Sequence, residues 1–264
     1  MDAAPQRRER LATLVAGRGF ARVVDLAREL RVSEVTVRTD LAALEVDGRV
    51  TRVHGGAMPR GLVAERESSV EQSRTRLSRA KQAIATEMAS RVRSGDSLLL
   101  DVGSTTLAVA HALVARADLD ELVVVTNGLT IALALEKAIP RFTVVVTGGT
   151  LRSLQHSLVN PLATTLLDDV RVDVAIVGAT GVDAEAGVTN VNLPEAEVKR
   201  RMVASAARSI LVADSTKLGH VHLGRVASLD ELDELITDDS APTEHVGALR
   251  AAGLPVSLVR VRAH

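Results

Sequence analysis

The stretch "VSEVTVRTDLAALEVDGRV", Val32 to Val50, decides how the first part of the chain folds. Ser33 stands where its side-chain oxygen can accept from the orphan amides near Thr36, a helix N-cap. Asp47-Gly48 is a turn dipeptide and ends the helix. With Val37 at 0° and about 100° per residue, Val37, Leu41 and Leu44 fall within about 60° of one another and form the face to be buried. The opposite face carries Val35, Thr39 and Ala42, flanked by Arg38 and Thr36. It is small, partly apolar and almost free of acid. A groove of duplex DNA suits such a face: small side chains allow close approach, a methyl meets thymine, and an arginine meets phosphate or guanine. An ordinary amphipathic surface helix is the competing reading.

The neighbours favour DNA. "RRERLATLVAGRG" reads as a helix ending at Gly17 or Gly19, and "VVDLARELRV" as a second with Val23, Leu26, Ala27 and Leu30 on one face. "RVTRVHGG" alternates like a strand and stops at a glycine pair. Three helices and a small hairpin make the winged helix-turn-helix plan, in which Arg49, Arg52 and His54 on the hairpin can touch the DNA backbone. Charge agrees weakly. Residues 1–60 hold 11 Arg against 8 Asp/Glu, a balance of +3 within a chain of net charge −1.

The whole chain has 264 residues, 46% hydrophobic and 25% charged, which is ordinary for a soluble protein of about two domains. It has no cysteine, hence no disulfide framework and no thiolate metal site, and this suits a reducing cytoplasm. No apolar run has the length of a membrane span, and the polar opening residues are no signal peptide. Trp and Tyr are absent and there are 2 Phe, so any site works without aromatic platforms.

Residues 59–80 are polar and read as a linker entering a helix that runs to about Arg93. From Gly95 short apolar runs alternate with helical patterns: "SLLLDV", "ELVVVT", "FTVVVTG", "VDVAIVG", "SILVAD", "ELITD" and "PVSLVRV", with helices at 105–116, 129–138 and 193–208 among them. That alternation predicts a parallel sheet covered on both faces. Ligands of such sheets bind beyond the carboxyl ends of the strands. Five of those ends read "DVGSTT" (101–106), "TNG" (126–128), "TGGT" (147–150), "GATG" (178–181) and "DSTK" (214–217). Each alone reads more readily as a cap or turn; five on one edge make a candidate site. Backbone amides at Gly103, Ser104, Thr105 and Thr106 form a phosphate cradle at a helix start. Lys217 adds a point charge, and Asp101 and Asn127 offer partners for sugar hydroxyls. Only four of the 32 basic residues are lysine, at 81, 137, 199 and 217. Lys199 lies four residues after Glu195, which also reads as an ordinary surface pair.

Two long stretches resemble a known family. "DLARELRVSEVTVRTDLAALEVDGRVTRVHGGA" closely resembles the N-terminal domain of the DeoR family of bacterial transcriptional regulators, through Val32-Ser33, Thr36, Val37, Arg38, Asp40-Leu41, Leu44-Glu45, Gly48, Arg52 and His54-Gly55-Gly56-Ala57. Thr39 departs from a frequent second Arg, and Arg22 stands where a Ser or Thr cap is usual. "KQAIA", "LDVGSTTLAVA", "VVTNGL", "TGGTL", "GVTNVNLPEAEVKRRM" and "ADSTKLG" resemble the family's effector domain across roughly 75–238, with Val102 and Pro194 as departures. The resemblance implies a fold akin to ribose-5-phosphate isomerase and CoA transferases and a sensor of phosphorylated sugars or related metabolites.

The expected architecture is an all-α winged helix-turn-helix domain (1–58), a linker and connecting helix (59–80), and an α/β effector-sensing domain with a mainly parallel sheet (81–264). The expected function is a cytoplasmic DNA-binding regulator. It represses carbohydrate-metabolism genes as a dimer or tetramer under control of a phosphorylated sugar or polyol. Ser33, Val35, Thr36, Arg38, Thr39, Arg49, Arg52 and His54 are the candidate DNA contacts. Asp101, Gly103, Ser104, Thr105, Thr106, Asn127, Gly148, Gly149, Glu195, Lys199 and Lys217 are the candidate effector contacts. No cofactor and no metal is expected; the His220-x-His222 pair reads as solvated loop. A sugar-phosphate isomerase with an accessory DNA-binding domain is the alternative, with Asp101, Asp183 or Glu195 as its base.

Overall fold

A computed structural model describes residues 4–18, 21–53, 56–59 and 78–261. The chain divides into two compact units, Met1–Arg66 and Glu67–His264.

The first unit is built on three helices, α1 (Ala4–Arg18), α2 (Val23–Leu30) and α3 (Glu34–Val46). The strands β1 (Ala21–Arg22), β2 (Val50–Val53) and β3 (Gly56–Pro59) form an antiparallel sheet in the order β1-β3-β2. The hairpin read from the sequence is thus three-stranded: Ala21 and Arg22 pair with Ala57 and Gly56. Leu11, Val15, Leu26, Val37, Leu41, Leu44 and Val50 close the core. Arg22 occupies the α2 N-cap without a capping bond. Its Nε instead donates to Asp25 Oδ2 in the first helical turn at 2.7 Å.

The second unit is organised by a seven-stranded sheet. In chain order its strands are β4 (Ser97–Leu100), β5 (Leu122–Thr126), β6 (Phe142–Val146), β9 (Val172–Val177), β12 (Ala206–Val212), β14 (Glu234–Asp238) and β15 (Val256–Val259). They lie in the order β15-β14-β12-β9-β4-β5-β6, and every pair is parallel. These are the seven apolar runs singled out from the sequence. Alternate residues feed opposite faces, as a pleated strand requires. Leu98, Leu100, Val124 and Ile176 pack under α4 (Ser78–Ser90), α5 (Ser104–Ala115) and α6 (Leu129–Leu135). Leu99, Val125, Ala175 and Leu211 pack under α7 (Leu162–Asp169), α8 (Leu193–Ala204) and α9 (Thr243–Ala251). The connecting helix ends at Ser90, one turn short of its expected end.

Two small antiparallel sheets were not expected. β7 (Thr150–Arg152) pairs with β8 (Ser157–Val159), and β10 (Gly181–Asp183), β11 (Gly187–Asn190) and β13 (Gly224–Ala227) form a three-stranded sheet. Because the large sheet is parallel throughout, the loops after β4, β5, β6, β9 and β12 all leave it on one edge.

Candidate functional site

In the first unit α3 starts as its sequence dictates. Ser33 Oγ accepts from the Thr36 amide at 3.1 Å and lies 2.9 Å from Thr36 Oγ1. Val37, Leu41 and Leu44 are buried, while Val35 is 69% exposed and Thr39 is exposed beside it. Thr39 Oγ1 donates back to the Val35 carbonyl at 3.0 Å, which commits its hydroxyl to the helix. Arg38 is exposed on the flank, and its Nη2 donates to Glu34 Oε2 at 2.7 Å; the face is free of acid but its margin is not. Arg49 grips Glu9 of α1 with two nitrogens, one at 2.8 Å, so it ties the hairpin base to α1 in this state. Arg52 lies on β2, and His54 falls outside the described residues.

One residue of α3 has a role that its spacing does not reveal. Asp40 is 2% exposed, and its carboxylate receives Arg7 Nε at 2.6 Å and Arg8 Nε at 3.1 Å, both from α1. Burial pushes this carboxyl up, but the two guanidiniums outweigh burial and hold it below the usual range.

In the second unit the loop after β4 begins with Asp101, which is completely buried. Its Oδ2 accepts from Lys199 Nζ and from the Gly178 amide at 3.0 Å. Its Oδ1 is buried with no hydrogen-bond partner among the described residues. Burial raises the Asp101 pKa, and Lys199 and the Gly178 amide offset only part of that rise. Asn127 is also fully buried and ties two loops together. Its Oδ1 accepts from the Val102 amide at 3.0 Å, and its Nδ2 reaches the Leu158 carbonyl at 3.4 Å.

Gly103 caps α5 without a side-chain bond, and the first helical bond runs from the Leu107 amide to the Gly103 carbonyl at 2.9 Å. The amides of Ser104, Thr105 and Thr106 therefore precede the first intrahelical donor, the Leu107 amide, as in any helix start. Gly103 and Ser104 are partly exposed, and Thr105 and Thr106 are buried. Lys217 ends a short 3-10 turn after β12, is half-buried, and makes no ion pair among the described residues. Gly148 and Gly149 both have positive φ. At Gly149 a Cβ would collide with the Val159 carbonyl of β8.

Glu195 and Lys199 are both buried and do not pair with each other, which overturns the surface-pair reading. Lys199 goes to Asp101. Glu195 Oε1 accepts from Arg152 Nη1 and from Ser157 Oγ at 2.5 Å, and its Oε2 from Asn190 Nδ2 at 3.4 Å. Two further groups of this edge were not assigned from sequence. Lys81 Nζ lies 3.7 Å from Asp214 Oδ2, both nearly buried, and Asp238 Oδ1 accepts the Ser215 amide at 2.7 Å. The scarcity of lysine was a usable signal for Lys81; nothing in the local spacing marks Arg152.

The three candidate bases of an isomerase are already engaged. Asp101 holds Lys199, and Glu195 holds Arg152 and Ser157. Asp183 closes a turn by accepting the Glu185 and Ala186 amides at 2.9 Å each. No group of three or more His, Cys, Asp or Glu could hold a metal among the described residues. His222 Nε2 lies 3.1 Å from the Thr180 carbonyl, so it is tied to the fold rather than merely solvated.

Comparison with known proteins resolves what the two units are. Residues 7–59 match the DeoR-like helix-turn-helix domain, and residues 77–239 match the DeoR C terminal sensor domain. The chain belongs to the DeoR family of transcriptional regulators. The HTH-type transcriptional regulator GlpR of Haloferax volcanii is 34% identical over 252 residues, 95% of this chain and 96% of that protein. The HTH-type transcriptional repressor CsqR of Escherichia coli K12 is 31% identical over 96% of this chain and 94% of its own. The glycerol-3-phosphate regulon repressor of the same organism is 29% identical, over 90% and 92%. Among solved structures, a D-ribose-5-phosphate isomerase in complex with phospho-erythronic acid aligns over 52% of each chain, at 20% identity and a TM-score of 0.39. The DeoR-family regulator thus joins a DNA-binding unit to a sensor unit, and it is a regulator and not an enzyme. No helix among the described residues is long and apolar enough to cross a membrane.

Proposed function

We propose that this DeoR-family protein is a cytoplasmic repressor of carbohydrate-metabolism genes whose hold on its operator changes when a phosphorylated sugar or polyol binds the sensor unit. The observation that carries this reading is the carboxyl edge of the parallel sheet. There a helix start with open amides at Ser104–Thr106 and a Lys217 without an ion pair among the described residues leave the same edge as a buried Asp101. Helix starts and a free ammonium favour a dianion, and neither helps a neutral sugar. The phosphate is assigned to Gly103–Thr106 and Lys217. The hydroxyls are assigned to the Asp101 and Asn127 side, with Gly148 and Gly149 shaping the wall and Glu195 and Lys199 holding the floor. Regulons named for glycerol 3-phosphate among the relatives support a phosphorylated ligand. In the other unit Val35 and Thr39 face the bases, Ser33 and Thr36 set the helix start, and Arg38, Arg49, Arg52 and His54 serve the backbone. The active form is a homo-oligomer, a dimer or a tetramer, and no cofactor takes part.

Calorimetric titration with matched pairs of sugar and sugar phosphate tests the site. The wild type binds the phosphorylated member more tightly, and Lys217→Ala loses most of that preference while its melting temperature stays put, because a half-buried loop lysine adds little to the core. Equal affinity for both members in the wild type would remove the phosphate cradle. A ligand shifts operator occupancy only by its differential affinity for the two states. Lys217→Ala therefore needs more effector for the same response.

A further inference from the structure

The recognition helix carries a flank that none of the proposed DNA contacts serves. On the helical wheel Arg38 lies about 100° to one side of Val37, Asp40 about 60° to the other, and Val35 and Thr39 point away between them. A helix lying in the major groove has a phosphate backbone on each side, and backbone contacts fix its register and orientation. Arg38 supplies a cation to one side only.

Asp40 brings the matching charge from another helix. It is buried, so it cannot itself face DNA, and it is bound side-on through Nε by two successive arginines of α1. The two differ. Arg7 is the more enclosed, with a side chain 17% exposed against 37% for Arg8. Arg8 uses only Nε on Asp40, at 3.1 Å, and its two terminal nitrogens have no partner among the described residues. A guanidinium braced at Nε by a buried carboxylate presents its other N–H groups in a fixed direction, the geometry suited to a phosphate oxygen.

We infer that Arg8, held by Asp40 of the recognition helix, is a DNA-backbone contact that grips a phosphodiester on the side of the major groove opposite Arg38. Asp40 is then a positioning residue. It locks α1 to α3 and aims Arg8 at the second strand, so the reading face is held between two anchors. The inference rests on α3 being the helix that enters the groove.

The test measures binding of the full-length protein to a mixed-sequence duplex of about 40 base pairs between 50 and 200 mM salt, where phosphate contacts set the slope of log K against log salt. The variants are Arg8→Gln, which keeps a donor for Asp40 but no charge, Arg8→Lys, Arg38→Ala, and Arg93→Gln in the other unit. Arg8→Gln should lower the slope by about 1, the loss of one phosphate contact, and so should Arg38→Ala. Arg8→Lys should keep the slope and Arg93→Gln should leave it at the wild-type value. If Arg8→Gln lowers the melting temperature with an unchanged slope, Arg8 is only a brace for Asp40 and the inference fails. An unchanged slope for Arg8→Gln beside a reduced one for Arg38→Ala overturns this contact alone. Unchanged slopes for both overturn the groove-entry reading as well.

Discussion

Asp40 and Asp101 are both buried carboxylates, and their surroundings drive them in opposite directions. Two arginines hold Asp40 below the ordinary carboxylate range despite its burial, whereas burial wins over Lys199 at Asp101. A group whose folded pKa is depressed contributes stability that is complete above its unfolded value, about 3.9, and is lost as pH falls through the folded value. Asp40→Asn should therefore lower stability by about 2 kcal/mol, the scale of charged hydrogen bonds, across pH 5 to 8. The deficit should shrink below about pH 4, where the wild type loses the same term. Melting curves of both proteins against pH check this; a gap that does not narrow as pH falls below about 4 contradicts it. At Asp101 the decisive term is desolvation. Lys199→Met strands a buried carboxylate and should destabilise by about 3–5 kcal/mol, and adding Asp101→Asn should restore part of the loss. Denaturant titration of the single and double variants decides, and a double variant weaker than Lys199→Met alone would refute it.

Among the elements, the seven parallel strands were legible because each is a short apolar run, the inner ones buried on both faces, and such runs stand out without alternation. The cap of α3 was legible because Ser33 acts within its own turn. The small sheets were not. β7, β8, β10 and β11 are three or four residues each, rich in Thr, Ser, Gly and Asn, and are held by pairing, β7 with β8, β10 with β11 and β11 with the remote β13, and not by their own composition. The same limit hid half of the candidate site. Asp101 and Lys217 announce themselves at strand ends, but Arg152 meets Glu195 across 43 positions and Lys199 meets Asp101 across 98. Long-range partners leave no local spacing to read. The glycines separate the two kinds of constraint. Gly95 has φ +85° and no atom within 4 Å of where a methyl would stand, so Gly95→Ala should cost only the backbone term, about 1 kcal/mol. Gly149 has φ +120° and a carbonyl where a Cβ would stand, so Gly149→Ala should cost at least about 3 kcal/mol. Chemical denaturation ranks them, and equal losses would mean that the β6–β7 loop yields more easily than its contact with β8 implies.

At the level of the whole molecule, two units divide recognition from sensing, and neither needs the other for its own core. One winged helix reads few base pairs and buries little surface. The assembled regulator should protect two half-sites whose centres lie about 10–10.5 base pairs apart or a multiple of that. Footprinting on a selected operator, with sedimentation of the same complex, checks this. A single half-site fully protected by a monomer would contradict it.

Helix α8 has one more consequence. Within about one turn it carries Glu195 and Lys199, committed to different partners, Arg152 at the end of β7 and Asp101 just after β4. Losing Asp101, Lys199 or Arg152 maroons a charged mate in a dry interior, whereas exchanging both members of a couple does not. Over evolutionary time the couples Glu195 with Arg152 and Lys199 with Asp101 are therefore free to drift only as pairs. A lineage that altered one member without the other would have to pass through an intermediate too unstable to survive selection.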